Sequence, residues 1–280
     1  MKKLTGGEYI GERALFASSD LEIENAVFCD GESPLKESEN ISLLGCEFKW
    51  KYPLWYCDGV RADNCILRET ARSGIWYTNG ISMTDCNIEA PKTFRRSSGI
   101  ELCRVNLSNA QETLWNCEKV SLHDVYIRGD YFGMGSSDIK AQNITVDGNY
   151  LFDGGKNIEV RGSKLISKDA FWNCENVIVY DSVIVGEYLG WNSKSITFVN
   201  CEIESNQGMC YMENVTLKGC RLKNTDLCFE YCTVDAEILS HVDSVKNPIS
   251  GKILAHSFGE IILDPDCVDI TKTEISEVKK

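Results

Sequence analysis

The feature that most constrains the fold is an internal repeat of about 19 residues along most of the 280-residue chain. An apolar residue that opens a short strand-like segment recurs every 19 to 21 residues, and the last six intervals are all 19. These anchor residues are Leu21, Ile41, Val60, Ile81, Ile100, Val120, Ile139, Ile158, Val177, Ile196, Val215 and Val234. Such self-similarity is typical of a solenoid, in which each repeat buries its inner face against the next one.

Within each repeat, the apolar positions follow a strand pattern that is broken by one turn-forming residue. A second apolar side chain follows two residues after the anchor, as in a strand with one buried face. Four residues after the anchor comes Asn, Asp or Gly in nearly every repeat, with Arg104 as an exception. These residue types tolerate the left-handed conformation that a sharp corner requires. Each coil is therefore predicted to contain a strand, a one-residue corner, a second strand, a longer turn and a third strand.

These patterns predict an all-β protein: a single-stranded, right-handed parallel β-helix, built as a three-sheet solenoid of about 12 coils of 19–21 residues. Residues 1–280 are expected to form one domain, with the regular coils at 20–240. Residues 1–19 are expected to form an N-terminal cap, and residues 241–280 a C-terminal coil and cap. The repeat degrades in both segments, and an open solenoid end would expose strand edges and core.

The repeat also explains most of the fourteen cysteines. Two sets share inward positions of the coil, five residues after an anchor or three before the next: Cys46, Cys65, Cys86, Cys201 and Cys220, then Cys57, Cys117 and Cys174. Buried free cysteine behaves as a small hydrophobic residue. Because the sequence has no CxxC pair and its three histidines are scattered, we expect neither a metal centre nor a cofactor.

Charge and hydropathy restrict the partners. The formal net charge of −13 argues against general nucleic-acid binding and against an anionic membrane surface. Two lysines follow Met1, but no apolar run comes after them, so the pattern is not that of a signal peptide. No stretch of 18 apolar residues exists to span a bilayer. We therefore expect a cytoplasmic protein without a nucleic-acid or membrane partner.

The segment predicted as the third strand carries side chains that the stacking of coils does not by itself require. Five of the six tryptophans share one slot, five residues before the next anchor, and other coils place Arg95 and Asp153 there. The slot before it is apolar and makes a natural inner row, whereas burying an unpaired charge is costly. We predict that the tryptophan slot faces outward. The alternative is a tryptophan stack in the core, since aromatic residues do fill such interiors.

An outward aromatic face with nearby amides suits a sugar, which presents C–H faces and hydroxyl edges. The predicted ligand-binding residues are Trp55, Tyr56, Trp76, Tyr77, Trp115, Asn116, Asp153, Trp172, Asn173, Trp191 and Asn192. The expected ligand is a saccharide, or a uronate attracted by the basic side chains of the early coils. A third interpretation is an assembly scaffold, in which a homo-oligomer buries this face between subunits.

The catalytic alternative is a polysaccharide lyase or glycoside hydrolase that works on the same face. The candidate catalytic residues are Lys92, Arg95, Arg96, Glu112 and Asp130. Glu112 and Asp130 lie one coil apart, a spacing at which two carboxyl groups can flank a glycosidic bond. The sequence shows no Ser/His/Asp grouping and no phosphate-binding loop. Whether the chain is an enzyme stays open at this point.

The coil pattern over residues 20–240, with its Asn/Gly/Asp corner, resembles the pectin-lyase-like superfamily of right-handed parallel β-helices. Several segments are similar to a bacterial family known only as a domain of unknown function: Gly11–Phe16, Asp30–Glu37, Phe48–Cys57, Glu89–Arg96 and Asp169–Cys174. The superfamily resemblance implies an active site on the strand after the longest turn. It also implies acidic polysaccharide substrates, cleaved by an Arg or Lys base with calcium or by neighbouring aspartates. This sequence has no clear aspartate cluster of that kind, and most such enzymes are exported.

Overall fold

A computed structural model describes residues 1–278 as an all-β, right-handed parallel β-solenoid of about 15 turns with one short 3₁₀ turn. The predicted fold class is confirmed, but the number of turns exceeds the predicted 12. The difference arises because the segments expected to act as caps also wind into coils with strands of their own. Two compact units are distinguished, Met1–Thr145 and Val146–Lys280. The prediction of a single domain stays a prediction.

In the first unit, each coil contributes one longer strand to a first sheet and one short strand to a second sheet. The first-sheet strands are Lys2–Thr5, Ser19–Glu24, Glu39–Leu44, Asp58–Asp63, Asn79–Thr84, Ser98–Cys103, Glu118–His123 and Ser137–Gln142. The second-sheet strands are Glu8–Tyr9, Val27–Phe28, Glu47–Phe48, Ile66–Leu67, Asn87–Ile88, Asn106–Leu107 and Tyr126–Arg128. Neighbouring strands pair in parallel, and the register places equivalent anchor residues opposite one another. Ile41, for example, is opposite Leu21 in the previous coil and Val60 in the next.

The second unit follows the same plan at first and then merges its strands. A short strand, Thr145–Asp147, spans the boundary between the two units. The first-sheet strands of the second unit are Lys156–Arg161, Glu175–Tyr180, Lys194–Val199, Glu213–Leu222, Thr233–Lys246, Ser250–Ile262 and Thr273–Glu277. The second-sheet strands are Lys164–Ile166, Val183–Glu187 and Glu202–Asn206, and a 3₁₀ turn covers Ile270–Lys272. From Glu213 onward a single strand runs through the corner, with register shifts between Leu217 and Cys220 and between Ile238 and His241.

The third side of the coil differs from the predicted regular sheet. Within residues 1–278, only Ile75–Trp76 and Phe94–Arg95 pair there as strands, and most other coils form turns. Left-handed residues bracket this segment in both kinds of coil, as at Ser73 and Tyr77 around the paired Ile75–Trp76. In the later coils a further left-handed residue interrupts the segment itself, as at Phe152 with a φ of 60°, and breaks its extended conformation. Backbone hydrogen bonds still join neighbouring coils, such as Tyr56 N–H donating to the Trp76 carbonyl at 2.9 Å.

The predicted inner rows are confirmed. The anchors are buried throughout, and the apolar slot of the third side is fully buried at Leu54, Ile75, Phe94, Leu114, Phe152 and Phe171. All eight cysteines predicted to point inward are buried and free. The one-residue corner is confirmed as well, since even the exceptional Arg104 has a φ of 52°. Its guanidinium donates two hydrogen bonds to the Asp85 carboxylate of the previous coil, at 2.7 and 2.9 Å.

Candidate functional site

A column of stacked side chains lies on the outer side of the inner row in the first unit. The Trp55 and Trp76 rings stack at a centroid distance of 5.1 Å with an interplanar angle of 7°. The guanidinium carbon of Arg95 lies 4.7 Å from the Trp76 ring centre and 4.6 Å from that of Trp115. This tryptophan column therefore runs Trp55, Trp76, Arg95, Trp115. Its members are half-buried, so the slot points away from the core, as predicted.

The indole rings of this column are already engaged on most of their surfaces. Trp76 has Trp55 on one face and Arg95 on the other. Its ring N–H donates to the Lys92 carbonyl of the next coil at 2.9 Å, and that of Trp115 donates to the Tyr131 carbonyl at 2.8 Å. A ring stacked on both faces can offer only its edge to a ligand. The column therefore ties neighbouring coils together and supports the side chains beside it.

One residue further along each coil lies a second, more exposed column. Tyr56, Tyr77, Arg96 and Asn116 all have left-handed φ values between 49° and 58°, which places them at a corner of the coil. The Tyr56 and Tyr77 rings stack at 4.8 Å, and Tyr56 is 48% exposed. Lys36 Nζ lies 5.5 Å from the Tyr56 ring centre, and the Arg96 guanidinium carbon lies 6.0 Å from that of Tyr77. We call Lys36, Tyr56, Tyr77 and Arg96 the tyrosine column.

The five predicted catalytic residues are brought together on neighbouring coils of the first unit. Lys92 Nζ is 3.0 Å and Arg95 Nη2 is 3.7 Å from Glu112 Oε2, so two cations neutralise this carboxylate. The Asp130 carbonyl accepts a hydrogen bond from Glu112 N–H at 2.9 Å, which confirms that the two residues lie one coil apart. The Arg96 guanidinium, by contrast, is exposed and has no ion-pair partner within residues 1–278.

The second unit carries its own aromatic stack. Trp172 and Trp191 stack at 5.8 Å with an interplanar angle of 6°, and Tyr188 contacts Trp191 edge-on at 5.1 Å. The indole N–H groups of Trp172 and Trp191 donate to the carbonyls of Tyr188 and Gln207, at 2.6 and 2.7 Å. The predicted polar neighbours follow the same outward slots: Asn192 is exposed, and Asn173 Nδ2 donates to Asp153 Oδ1 at 2.8 Å.

Asp169 is a buried carboxylate that the sequence pattern did not reveal. It precedes the Trp172 slot by three residues, has a φ of 59° and is only 2% exposed. Its Oδ1 atom is buried without a hydrogen-bond partner. Burial raises the pKa of this carboxyl, and the neighbouring Lys168 lowers it to a smaller extent. A buried, partly unsatisfied carboxylate costs folding free energy wherever it is ionised.

Replacing Asp169 with asparagine is therefore expected to raise the free energy of unfolding at pH 7. Below the ordinary Asp pKa of 3.8 the carboxyl is protonated in both the folded and the unfolded state, so it carries no charge penalty there. As the pH rises above that value, the wild type loses stability because its folded-state pKa is raised. Urea unfolding at pH 7 and pH 3 should show a gain for D169N that shrinks at pH 3. An equal gain at both pH values would contradict this account, and D235N, at an exposed aspartate of the same unit, serves as the matched control.

Residues 2–276 match the profile of a protein family described as "Protein of unknown function (DUF3737)". The chain belongs to this family. Comparison with curated proteins found no match for this DUF3737 protein. Within residues 1–278, no helix is both long enough and apolar enough to cross a membrane.

Solved structures of other solenoid proteins align with this DUF3737 chain at low similarity. HetL, a pentapeptide repeat protein from the cyanobacterium Nostoc sp. strain PCC 7120, is 12% identical, with 81% of this chain and 90% of HetL covered and a TM-score of 0.34. The A-module of the mannuronan C-5 epimerase AlgE4 from Azotobacter vinelandii is 11% identical, with 99% and 90% covered and a TM-score of 0.34. The fold assigned above depends on the strand pairing of this chain and not on these similarities.

Proposed function

We propose that this DUF3737 protein binds an acidic, carbohydrate-like chain along the tyrosine column of the first unit. The observation that carries the proposal is the stacked Tyr56–Tyr77 pair, in which Tyr56 is exposed and Tyr77 half-buried, with Lys36 at one end and Arg96 at the other. Aligned phenols on successive coils present a row of hydroxyl groups about 4.8 Å apart. Such a row matches the hydroxyl-rich edge of an extended oligosaccharide better than it matches a compact ligand.

The charges of the column favour an acidic ligand. Lys36 Nζ has Glu37 at 3.5 Å, but Arg96 has no anionic partner within the described residues. A guanidinium binds a carboxylate through two parallel hydrogen bonds, so an unpaired arginine beside sugar-binding groups suits a uronate. The protein as a whole carries a charge of −13, which makes this unpaired cation a local exception. The exposed Asn116 amide, one coil further on, adds a neutral hydrogen-bonding group.

We propose membership of the pectin-lyase-like superfamily, and an activity as a lyase or hydrolase, only as secondary alternatives. Glu112 is held between two cations, and Arg95 lies between two indoles. Both side chains are therefore occupied by contacts within the protein, which supports binding more than catalysis. The cytoplasmic location and the homo-oligomer that buries the tryptophan face likewise stay predictions.

Replacing Arg96 with alanine is expected to weaken the affinity for an oligouronate about tenfold, because a charge-assisted contact to a carboxylate is lost. Isothermal titration calorimetry with a hexauronate measures this directly, and a neutral oligosaccharide of equal length should bind more weakly to the wild type. Arg128→Ala, at an exposed arginine on the second sheet of the same unit, is the matched control. Equal affinities of R96A and R128A for the hexauronate would refute the proposed site.

A further inference from the structure

Two strands of the first sheets have an open edge. The Lys2–Thr5 strand pairs on one side with Ser19–Glu24, and the Thr273–Glu277 strand pairs on one side with Ser250–Ile262. Within residues 1–278 neither has a strand partner on its other side. An unpaired strand edge presents free backbone N–H and C=O groups, and natural proteins generally cover such edges.

Apolar side chains accompany the open edge of the first coil. Met1 and Ile10 are 62% and 71% exposed. Leu4 lies opposite the fully buried Ile23, so it occupies an inward slot of the coil, yet it is only half-buried. The first coil thus presents inner-face side chains that another coil would cover in any solenoid.

The charges beside the two open edges are complementary. On the outer face of the first coil, Lys3 Nζ lies 3.1 Å from Glu22 Oε1 of the next strand. On the outer face of the last strand pair, Lys252 Nζ lies 3.6 Å from Glu274 Oε1. In each of these ion pairs, the lysine lies on one strand and the glutamate on the next strand of the sheet. The last strand thus carries Glu274 on its outer face, and the first strand carries Lys3 on its outer face.

We propose that the Thr273–Glu277 strand of one copy pairs in parallel with the Lys2–Thr5 strand of a second copy. Continuing the observed register places Ile275 against Leu4 on the inner face and Glu274 beside Lys3 on the outer face. Ile275 lies opposite the buried Ile253 within its own unit, so both apolar partners occupy inward slots. The junction extends the charge alternation as Lys252, Glu274, Lys3, Glu22.

The Lys2–Thr5 edge of one copy is therefore covered by the Thr273–Glu277 edge of another copy, and not by a second Lys2–Thr5 edge. Two Lys2–Thr5 strands brought together would gather four lysines without an acidic partner from either strand, and two Thr273–Glu277 strands would gather four glutamates without a basic one. A contact between two different surfaces is heterologous, so it repeats from copy to copy and forms rings or open chains of subunits.

A charge-swap experiment on the full chain tests the proposal. Sedimentation velocity over a range of concentrations should show self-association of the wild type. Lys3→Glu and Glu274→Lys are each expected to weaken association about fivefold or more, because each places like charges at the junction. An equimolar mixture of K3E and E274K should restore association, since every junction between the two variants again joins Lys with Glu. Lys156→Glu breaks an ion pair inside the second unit and is the control that should associate normally.

Cysteine cross-linking provides a readout that does not depend on the strength of the ion pair. In a background in which the exposed Cys267 is replaced by serine, a mixture of K3C and E274C should form a disulfide-linked dimer on oxidation with oxidised glutathione. K3C alone should form no disulfide-linked dimer. A covalent dimer of K3C alone, a mixture that does not cross-link, or a wild type that is monomeric at every concentration would each overturn the proposal.

Discussion

Replacing Phe94 with alanine is expected to lower the free energy of unfolding by about 3–5 kcal/mol. Phe94 is fully buried in the inner row and pairs with Ile75 of the previous coil. Its removal leaves a cavity that the surrounding coils cannot close, because their backbones are fixed at strand spacing by hydrogen bonds on both sides. The loss therefore includes both the transfer free energy of the ring and the cost of the cavity.

Urea unfolding followed by circular dichroism measures the effect of the Phe94 substitution. Arg96→Ala, two residues away on the exposed corner, is the matched control and should change stability by less than about 0.5 kcal/mol. Similar small effects for both variants would mean that the third side of the coil does not contribute to the core.

The second large effect is expected at Arg95. Replacing it with alanine should cost about 2–3 kcal/mol, because the guanidinium stacks on two indoles at 4.7 and 4.6 Å and lies 3.7 Å from Glu112 Oε2. Lysine keeps the charge but lacks the planar group, so R95K should recover only part of the loss. Urea unfolding of both variants tests whether the free energy of unfolding falls in the order wild type, R95K, R95A.

Tryptophan at position 95 is the informative comparison. The neighbouring coils carry tryptophan in the same slot, at Trp76 and Trp115. R95W should therefore continue the stack and keep near wild-type stability. If R95W proved as unstable as R95A, the cation itself, and not the stack, would be what this position requires.

The coils could be predicted from the sequence because each one repeats the same inward positions. Ile41, Val60 and their equivalents are apolar in every coil, and the single corner after them uses residue types that favour a left-handed φ. The corners of the third side could not be predicted in this way. Several of them fall on residues such as Tyr52, Tyr56 and Phe171, which rarely adopt positive φ, so residue type does not mark these corners in every coil.

The site could be predicted only in part, for a related reason. Arg95 correctly indicated that the tryptophan slot faces away from the core, but its charge is stabilised by two indoles that come from other coils. Residue type alone does not show which face of a ring is covered. The burial of Asp169 was missed because its position does not mark an inward slot: Tyr150 and Tyr188 occupy the same left-handed corner in the neighbouring coils and are only half-buried.

The proposed binding face is tested most directly by NMR titration of protein labelled with ¹³C in its tyrosine rings. We predict that a hexauronate shifts the Tyr56 and Tyr77 resonances in a saturable way, while Tyr126, exposed on the second sheet of the same unit, stays unchanged. Saturation of Tyr126 with unchanged Tyr56 and Tyr77, or no shift of any ring at millimolar ligand, would contradict the proposal.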